Sequence, residues 1–397
     1  MFYPPRALRF PFLPVLAALL LVACGAETSA PDAPPPAANT PPVVVTPPVE
    51  EASPPALNAL ADSVDALFTD AAASDTFAGS VIVVDAGKQV LAKGYGLADR
   101  VAKKPNTPDT IFRVASVSKQ FAATAVLALA QDGKLALTDP VSKFLPDYPK
   151  ESLTKEGVEL TIHHLLSHTS GLPDPQATAG FKRLAWKRAM LPVEVVDFVK
   201  ASPLGQTPGA VYEYLNYNFL LAAVIVEKVS GQPYETFLRK RFFEPLDMKD
   251  TGTILPASVR PRAAVGYTNN DGTTYIMNDD PTFKDRDVTL LFGSGQVYST
   301  VRDLAKWDRA LTGETVLPSA KRNLLFTPNL DGYGYGWVIS KRAGVTYEWH
   351  NGALSPFGAS AYVVRVRSKD RFVAYLANRD HETVGPFEAK VAALAVK

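Results

Sequence analysis

Ser116-Val117-Ser118-Lys119 stands just before Phe121-Ala122-Ala123-Thr124-Ala125-Val126-Leu127-Ala128-Leu129-Ala130, and the fold is read outward from this stretch. The second part is an apolar helical run. Residues three apart share a helix face, so the Lys119 amine reaches the Ser116 hydroxyl and can take its proton. The start of such a helix also leaves backbone N–H groups free to meet a reacting carbonyl oxygen. Spacing alone carries little, because a chain of this length holds roughly one or two Ser-x-x-Lys by chance. A second copy, Ser152-Leu153-Thr154-Lys155, lies in a polar stretch between Pro149 and Gly157 and reads as a solvated loop or helix end. Ser116 differs in its context, because Ile111-Phe112-Arg113-Val114-Ala115 precedes it and the apolar helix follows.

Ahead of this stretch, Ala56 to Ala73 has helical spacing, with Leu57, Leu60, Val64 and Leu67 on one face. Two strands follow, Ser80–Asp85 and Gln89–Gly94, around a turn at Ala86-Gly87-Lys88. The far end mirrors this with β-rich Ala361–Val366 and Phe372–Leu376, then a helical tail from Phe387 to Val396. Helical patterns and Pro/Gly loops fill the middle. The pattern predicts an α/β (α+β) fold: a central, mostly antiparallel sheet from both termini, with a helical subdomain inserted. With no internal repeat and no second linker, one composite domain spans 56–397.

The first residues read as an export signal, with Arg6 and Arg9 before an apolar stretch from Phe10 to Ala23 that is too short to cross a bilayer. It ends in Leu21-Val22-Ala23-Cys24, which resembles a bacterial lipobox, and Cys24 is the only cysteine in the chain. The expectation is a lipoprotein signal peptide over 1–23 and a lipid on Cys24. A Pro-rich tether over 24–55 would then hold the domain off the membrane on its periplasmic side. Gly25 rather than Asp after the cysteine resembles outer-membrane sorting. The alternative is a plain secretory leader with an accidental cysteine. Lys and Arg number 41 against 40 Asp and Glu, a balance that gives no electrostatic reason to expect nucleic acid as partner.

Two further constellations carry chemistry. In Pro208-Gly209-Ala210-Val211-Tyr212-Glu213-Tyr214-Leu215-Asn216, a tyrosine beside the Ser–Lys pair could relay protons and an amide two residues on could hold a substrate carbonyl. In Tyr347-Glu348-Trp349-His350-Asn351-Gly352-Ala353, a strand could present a backbone N–H to an oxyanion while His350 hydrogen-bonds substrate. Blander readings apply elsewhere. Tyr267-Thr268-Asn269, followed by Asn270-Asp271-Gly272, reads as a turn. His163, His164 and His168 lack a cysteine or close carboxylate to complete a metal site, so no metal is expected. Gly293-Ser294-Gly295 lacks the spacing of a nucleophile elbow and fits close backbone approach beside the site. Asp303, Lys306 and Trp307 read as a helix packing and solvating itself.

In order, Ser116-x-x-Lys119, Tyr214-x-Asn216 and His350-Asn351-Gly352 resemble the three motifs of the serine β-lactamase and penicillin-binding-protein superfamily, closest to its class C-like branch. Gly94–Asp99, Asp132–Leu135, Leu165–Gly171 and Phe243–Met248 also look like landmarks of that family. The resemblance implies a β-lactamase/DD-peptidase-like fold and a serine hydrolase that works without a cofactor. Ser116 would form an acyl-enzyme, with Lys119 and Tyr214 sharing the general-base work in an order the sequence leaves open. The N–H groups of Ser116 and Ala353 would form the oxyanion hole, with Gly352 beside it, and Asn216 would orient the acyl side chain. His350 in place of Lys weakens the attraction for a substrate carboxylate, so peptide, β-lactam and ester donors all stay open. The alternative from the same motifs is a slow-turnover penicillin-binding sensor or a non-catalytic scaffold.

Overall fold

The computed structural model describes residues 58–177, 191–270, 273–276, 291–354 and 358–397. The expected signal peptide, Cys24 and the tether lie outside these residues. Ala56–Lys397 forms one compact unit.

Helix α1 (Ala59–Ala73) is capped by Asn58, whose side chain accepts the Ala61 N–H at 3.0 Å. Its buried stripe is Leu60, Ala61, Val64, Phe68 and Ala71. Leu67, expected on that stripe, is only partly buried. The i+4 series 60, 64, 68 places Phe68 there instead, where its ring meets Phe77 at 4.5 Å and Phe387 at 5.6 Å.

Strands β1 (Gly79–Asp85) and β2 (Lys88–Tyr95) follow, and the chain then builds helix α2 (Lys119–Gln131), helix α3 (Asn216–Ser230) and helix α4 (Val301–Thr312). It returns to the sheet as β3 (Val338–Arg342), β4 (Val345–Leu354), β5 (Ala359–Val366) and β6 (Arg371–Ala377), and ends in helix α5 (Pro386–Val396). The sheet order is β3-β4-β5-β6-β1-β2, with every neighbouring pair antiparallel. The N-terminal strands thus complete a sheet whose other members come from the C-terminal end, as the sequence predicts.

Both faces of this sheet are covered, which is why β1 shows a continuous apolar run instead of alternation. Val81, Val83, Tyr362, Val364 and Tyr375 face the layer of α1 and α5. Ile82, Ala361, Val363 and Ala374 face the helices inserted between the two strand groups. Helix α2 lies at the centre of that second layer, with every residue from Lys119 to Leu129 buried. A helix apolar on all sides needs neighbours all round. Phe121 finds Trp307 at 4.5 Å and Phe243 at 5.5 Å. Burying side chains of this size is worth about 1.5–3 kcal/mol each, so α2 is held firmly in register with the sheet.

Candidate active site

The Ser-x-x-Lys element straddles a junction. Ser116 belongs to a 3-10 turn over Ala115–Ser118, and α2 begins only at Lys119. The sequence places Ser116 at the start of the apolar helix, and the structure puts it one turn ahead. In a 3-10 turn, residues i and i+3 eclipse one another. The Lys119 Nζ accordingly sits 3.0 Å from the Ser116 Oγ. Ala115, fully buried, enters the turn with φ of +49°, a left-handed backbone that L-residues with a Cβ seldom adopt. Such strain is held by surrounding packing and clusters at functional sites.

Lys119 is 0% exposed. Besides Ser116 it meets the Asn216 Oδ1 at 2.7 Å and the Ser294 carbonyl at 3.0 Å, and the face of the Tyr214 ring lies 4.7 Å away. The Asn216 Oδ1 and the Ser294 carbonyl oxygen only accept, so each must receive an N–H from the amine. The third direction points at Ser116. Burial holds the Lys119 amine well below its ordinary range, toward the neutral form. A neutral amine has two N–H groups and one lone pair, so donating to the two acceptors leaves it able to take the Ser116 proton.

Asn216 is the first residue of α3, and Tyr214 lies in the extended segment leading into it. Burial pushes the Tyr214 phenol above its ordinary range, partly offset by a hydrogen bond with Ser116. Tyr214 as a whole is 41% exposed, while its ring lies against His168 and its hydroxyl meets the nucleophile. Asn216, expected to orient the acyl side chain, places its Oδ1 on the Lys119 amine.

Strand β4 supplies the third side. Its alternation turns His350 and Gly352 inward and leaves Ala353 exposed. A Cβ on Gly352 would lie 2.9 Å from the Ala115 Cβ and 3.2 Å from the Ser116 N, and closer still to the Val114 carbonyl oxygen. Glycine here lets the strand approach the nucleophile turn. Because β3 begins at Val338, opposite Trp349, β4 from His350 to Leu354 pairs only with β5 among the described residues. Backbone groups on that free edge, the strand carrying Ala353 included, are open for an oxyanion.

His350 departs from the sequence reading. It is 2% exposed, its Nδ1 donates to the Asn351 carbonyl at 2.6 Å, and its Nε2 accepts from the Tyr333 hydroxyl at 3.1 Å. Both ring nitrogens are spent inside the protein, because the strand's alternation turns the ring under the site and away from solvent. Burial is the main cause that holds it well below its ordinary range, so it stays neutral.

Other sequence features resolve as follows. Ser152 is buried in a 3-10 turn, and the Lys155 amine serves the Leu204 and Gly205 carbonyls at 3.1 and 2.7 Å, away from any serine. Tyr267–Asn270 is a strand paired antiparallel with Thr273–Ile276, and Asp271 and Gly272 of the expected turn lie outside the described residues. His163 bonds the Tyr335 hydroxyl at 2.7 Å, His164 bonds Thr161 at 3.1 Å, and His168 is buried behind Tyr214. Trp307 packs in the core, while Asp303 accepts from the Asp250 N–H at 2.9 Å and so ties α4 to a neighbouring loop as well as to Lys306.

Three participants escape motif reading. The Ser294 carbonyl acts through backbone, so its side chain gives no signal, although the flanking glycines mark close approach. Tyr333 sits in a Gly-rich loop with no pattern around it. His168 lies in the Leu165–Gly171 landmark, which gives it no role by itself.

The Beta-lactamase family model matches residues 64–397. PbpX of Bacillus subtilis (strain 168) is 31% identical over 265 residues, which are 66% of this chain and 62% of that protein. The match therefore spans about three fifths of that relative's length. A penicillin binding protein from Bacillus halodurans is 26% identical, with a TM-score of 0.67 over 81% of this chain and 99% of that one. A D-stereospecific amidohydrolase from Streptomyces sp. is 25% identical, with a TM-score of 0.66 over 82% and 98%.

Proposed function

This chain belongs to the Beta-lactamase family, and from that premise we propose that it is a serine hydrolase working through an acyl-enzyme on Ser116. The observation that carries the reading is the shell of Lys119: a fully buried amine, two obligate acceptors and the Ser116 Oγ at 3.0 Å. Burial favours neutral Lys119 and neutral Tyr214 alike, and of these two neutral forms only the amine is a base. Lys119 takes the Ser116 proton as Oγ bonds to the substrate carbonyl carbon. The proton passes through the Tyr214 hydroxyl to the departing nitrogen or oxygen as its bond to carbon breaks. Water then reverses the sequence and frees the acid. Backbone N–H groups of Ser116 and Ala353 hold the oxyanion, and removing one such donor costs typically about 2.7–4 kcal/mol of barrier.

The substrate is an amide, β-lactam or ester. The penicillin-binding and amidohydrolase relatives favour an amide or peptide donor with D-stereochemistry, while neutral His350 disfavours dependence on a substrate carboxylate. Turnover of a fluorescent penicillin, a D-Ala-D-Ala peptide and a p-nitrophenyl ester tests this. Hydrolysis of at least one, lost by on the order of 10³-fold or more in Ser116→Ala, is expected. A persistent stoichiometric adduct without turnover would favour the slow sensor.

On the strength of the Leu21-Val22-Ala23-Cys24 motif we propose separately that the chain is an exported lipoprotein, anchored through Cys24 on the periplasmic side at the outer membrane. Among the described residues no helix is long and apolar enough to cross a membrane, so the anchor rests on the Leu21-Val22-Ala23-Cys24 motif. Incorporation of labelled palmitate into the intact chain, abolished in Cys24→Ser, is the expected result. Equal labelling of both would refute it.

A further inference from the structure

We infer that His168 is a positioning residue that places Tyr214 and Asn216 on the Ser116–Lys119 pair, an inference that rests on the proposed serine chemistry. His168 grips the residues on both sides of Tyr214. Its backbone carbonyl accepts the Glu213 N–H at 2.8 Å, and its ring Nδ1 accepts the Leu215 N–H at 3.2 Å. Between these two bonds the imidazole lies against the Tyr214 ring, with centroids 4.4 Å apart. Leu215 is also the cap residue of α3, and its own side chain makes no capping bond. Asn216 follows it and carries the oxygen that Lys119 meets. The His168 ring therefore sets the ring plane of the tyrosine and, through Leu215, the start of the helix bearing the amide, while its backbone carbonyl holds the Glu213 side.

The tautomer follows from the partners. A backbone N–H can only donate, so Nδ1 is the acceptor, and the ring proton sits on Nε2. The Asn218 Nδ2, 3.0 Å from Nδ1, is likewise a donor. Nε2 is buried without a hydrogen-bond partner, among the rings of Tyr212, Phe219 and Tyr333. An apolar ring would fill this space without orphaning an N–H, so what the imidazole adds here is the Nδ1 acceptor. The local backbone is committed to the same purpose. His168 has φ of +57°, a left-handed value, and the Gly209 N–H bonds the Thr169 carbonyl at 2.8 Å. The segment after His168 is thus tied to the segment before Tyr214.

His168→Phe keeps the ring and removes the acceptor, while His168→Asn supplies an oxygen close to where Nδ1 stood. With p-nitrophenyl acetate, His168→Phe is expected to lose about 100-fold in kcat with KM changed less than threefold, and His168→Asn to regain at least tenfold. Equal losses in the two variants, or kcat within threefold of wild type in His168→Phe, overturn the inference. Should His168→Phe fail to fold, His168→Asn against His168→Gln reads the same contrast, since glutamine carries its oxygen one bond too far. A crystal structure of the folded variant separates this from the chemistry. Displacement of the Tyr214 hydroxyl from Ser116 supports positioning even if no ester is turned over. An unmoved tyrosine refutes positioning even if the wild type is an active hydrolase.

Discussion

Gly352→Ala adds a single methyl at the point where β4 meets the nucleophile turn. That methyl would lie 2.9 Å from the Ala115 Cβ and 3.2 Å from the Ser116 N, and nearer still to the Val114 carbonyl oxygen. Ordinary contacts between such atoms fall near 3.5–4.0 Å, so strand and turn must part by about 1 Å. Neither side yields easily. The turn is held by the Val114 N–H bond to the Val297 carbonyl at 2.9 Å and by left-handed Ala115, and β4 is held by its register with β5. Overpacking of this kind costs about 1–3 kcal/mol of stability. A 1 Å error between nucleophile and oxyanion donors costs about 10²-fold in rate. Urea unfolding and kcat/KM for a p-nitrophenyl ester measure the two effects on the same protein. A folded Gly352→Ala with kcat/KM within threefold of wild type would refute the claim that close approach of β4 builds the site.

Three further outcomes follow from buried groups. Lys119 binds its proton less tightly folded than unfolded, so between its depressed value and the ordinary 10.5 the unfolded chain carries more proton and stability rises with pH. Urea melts from neutral pH toward 10.5 should therefore improve for wild type relative to Lys119→Met, and parallel curves would contradict a neutral buried amine. Arg365 pairs with Asp308 at 3.2 Å, both largely buried, and Arg365→Ala should cost about 3–5 kcal/mol by thermal unfolding while leaving kcat unchanged below the melting point. A loss below about 1 kcal/mol would show that Asp308 finds other compensation. Tyr333→Phe strips the donor from the His350 Nε2 and should cost about 1–3 kcal/mol in urea melts. No change would mean the ring keeps a partner.

The fold was legible because its signals are local and apolar. β1 announces itself by a β-branched run before a Gly turn and α2 by an apolar stretch, so a sheet made from both ends is readable before its pairing is known. Leu67 was misplaced because four apolar residues fit one helical face almost as well as the true stripe, and only Phe77 and Phe387 select Phe68. In the site, Ser116 and Lys119 were legible from their context. The role of His350 was not, because the Tyr333 hydroxyl and the Asn351 carbonyl that take its two ring nitrogens meet it only in the folded chain. The Ser294 carbonyl, Tyr333 and the grip of His168 on Tyr214 are products of tertiary approach across long stretches of chain. No spacing rule reports them.

The central claim is that Ser116, activated by Lys119, becomes acylated. Intact-mass measurement after incubation with a fluorophosphonate ester, followed by peptide mapping, tests it most directly. The account predicts one adduct per chain, on the peptide containing Ser116, formed at least about 100-fold more slowly in Lys119→Met and not at all in Ser116→Ala. A stoichiometric adduct on any other residue, or undiminished labelling in Ser116→Ala, would contradict it.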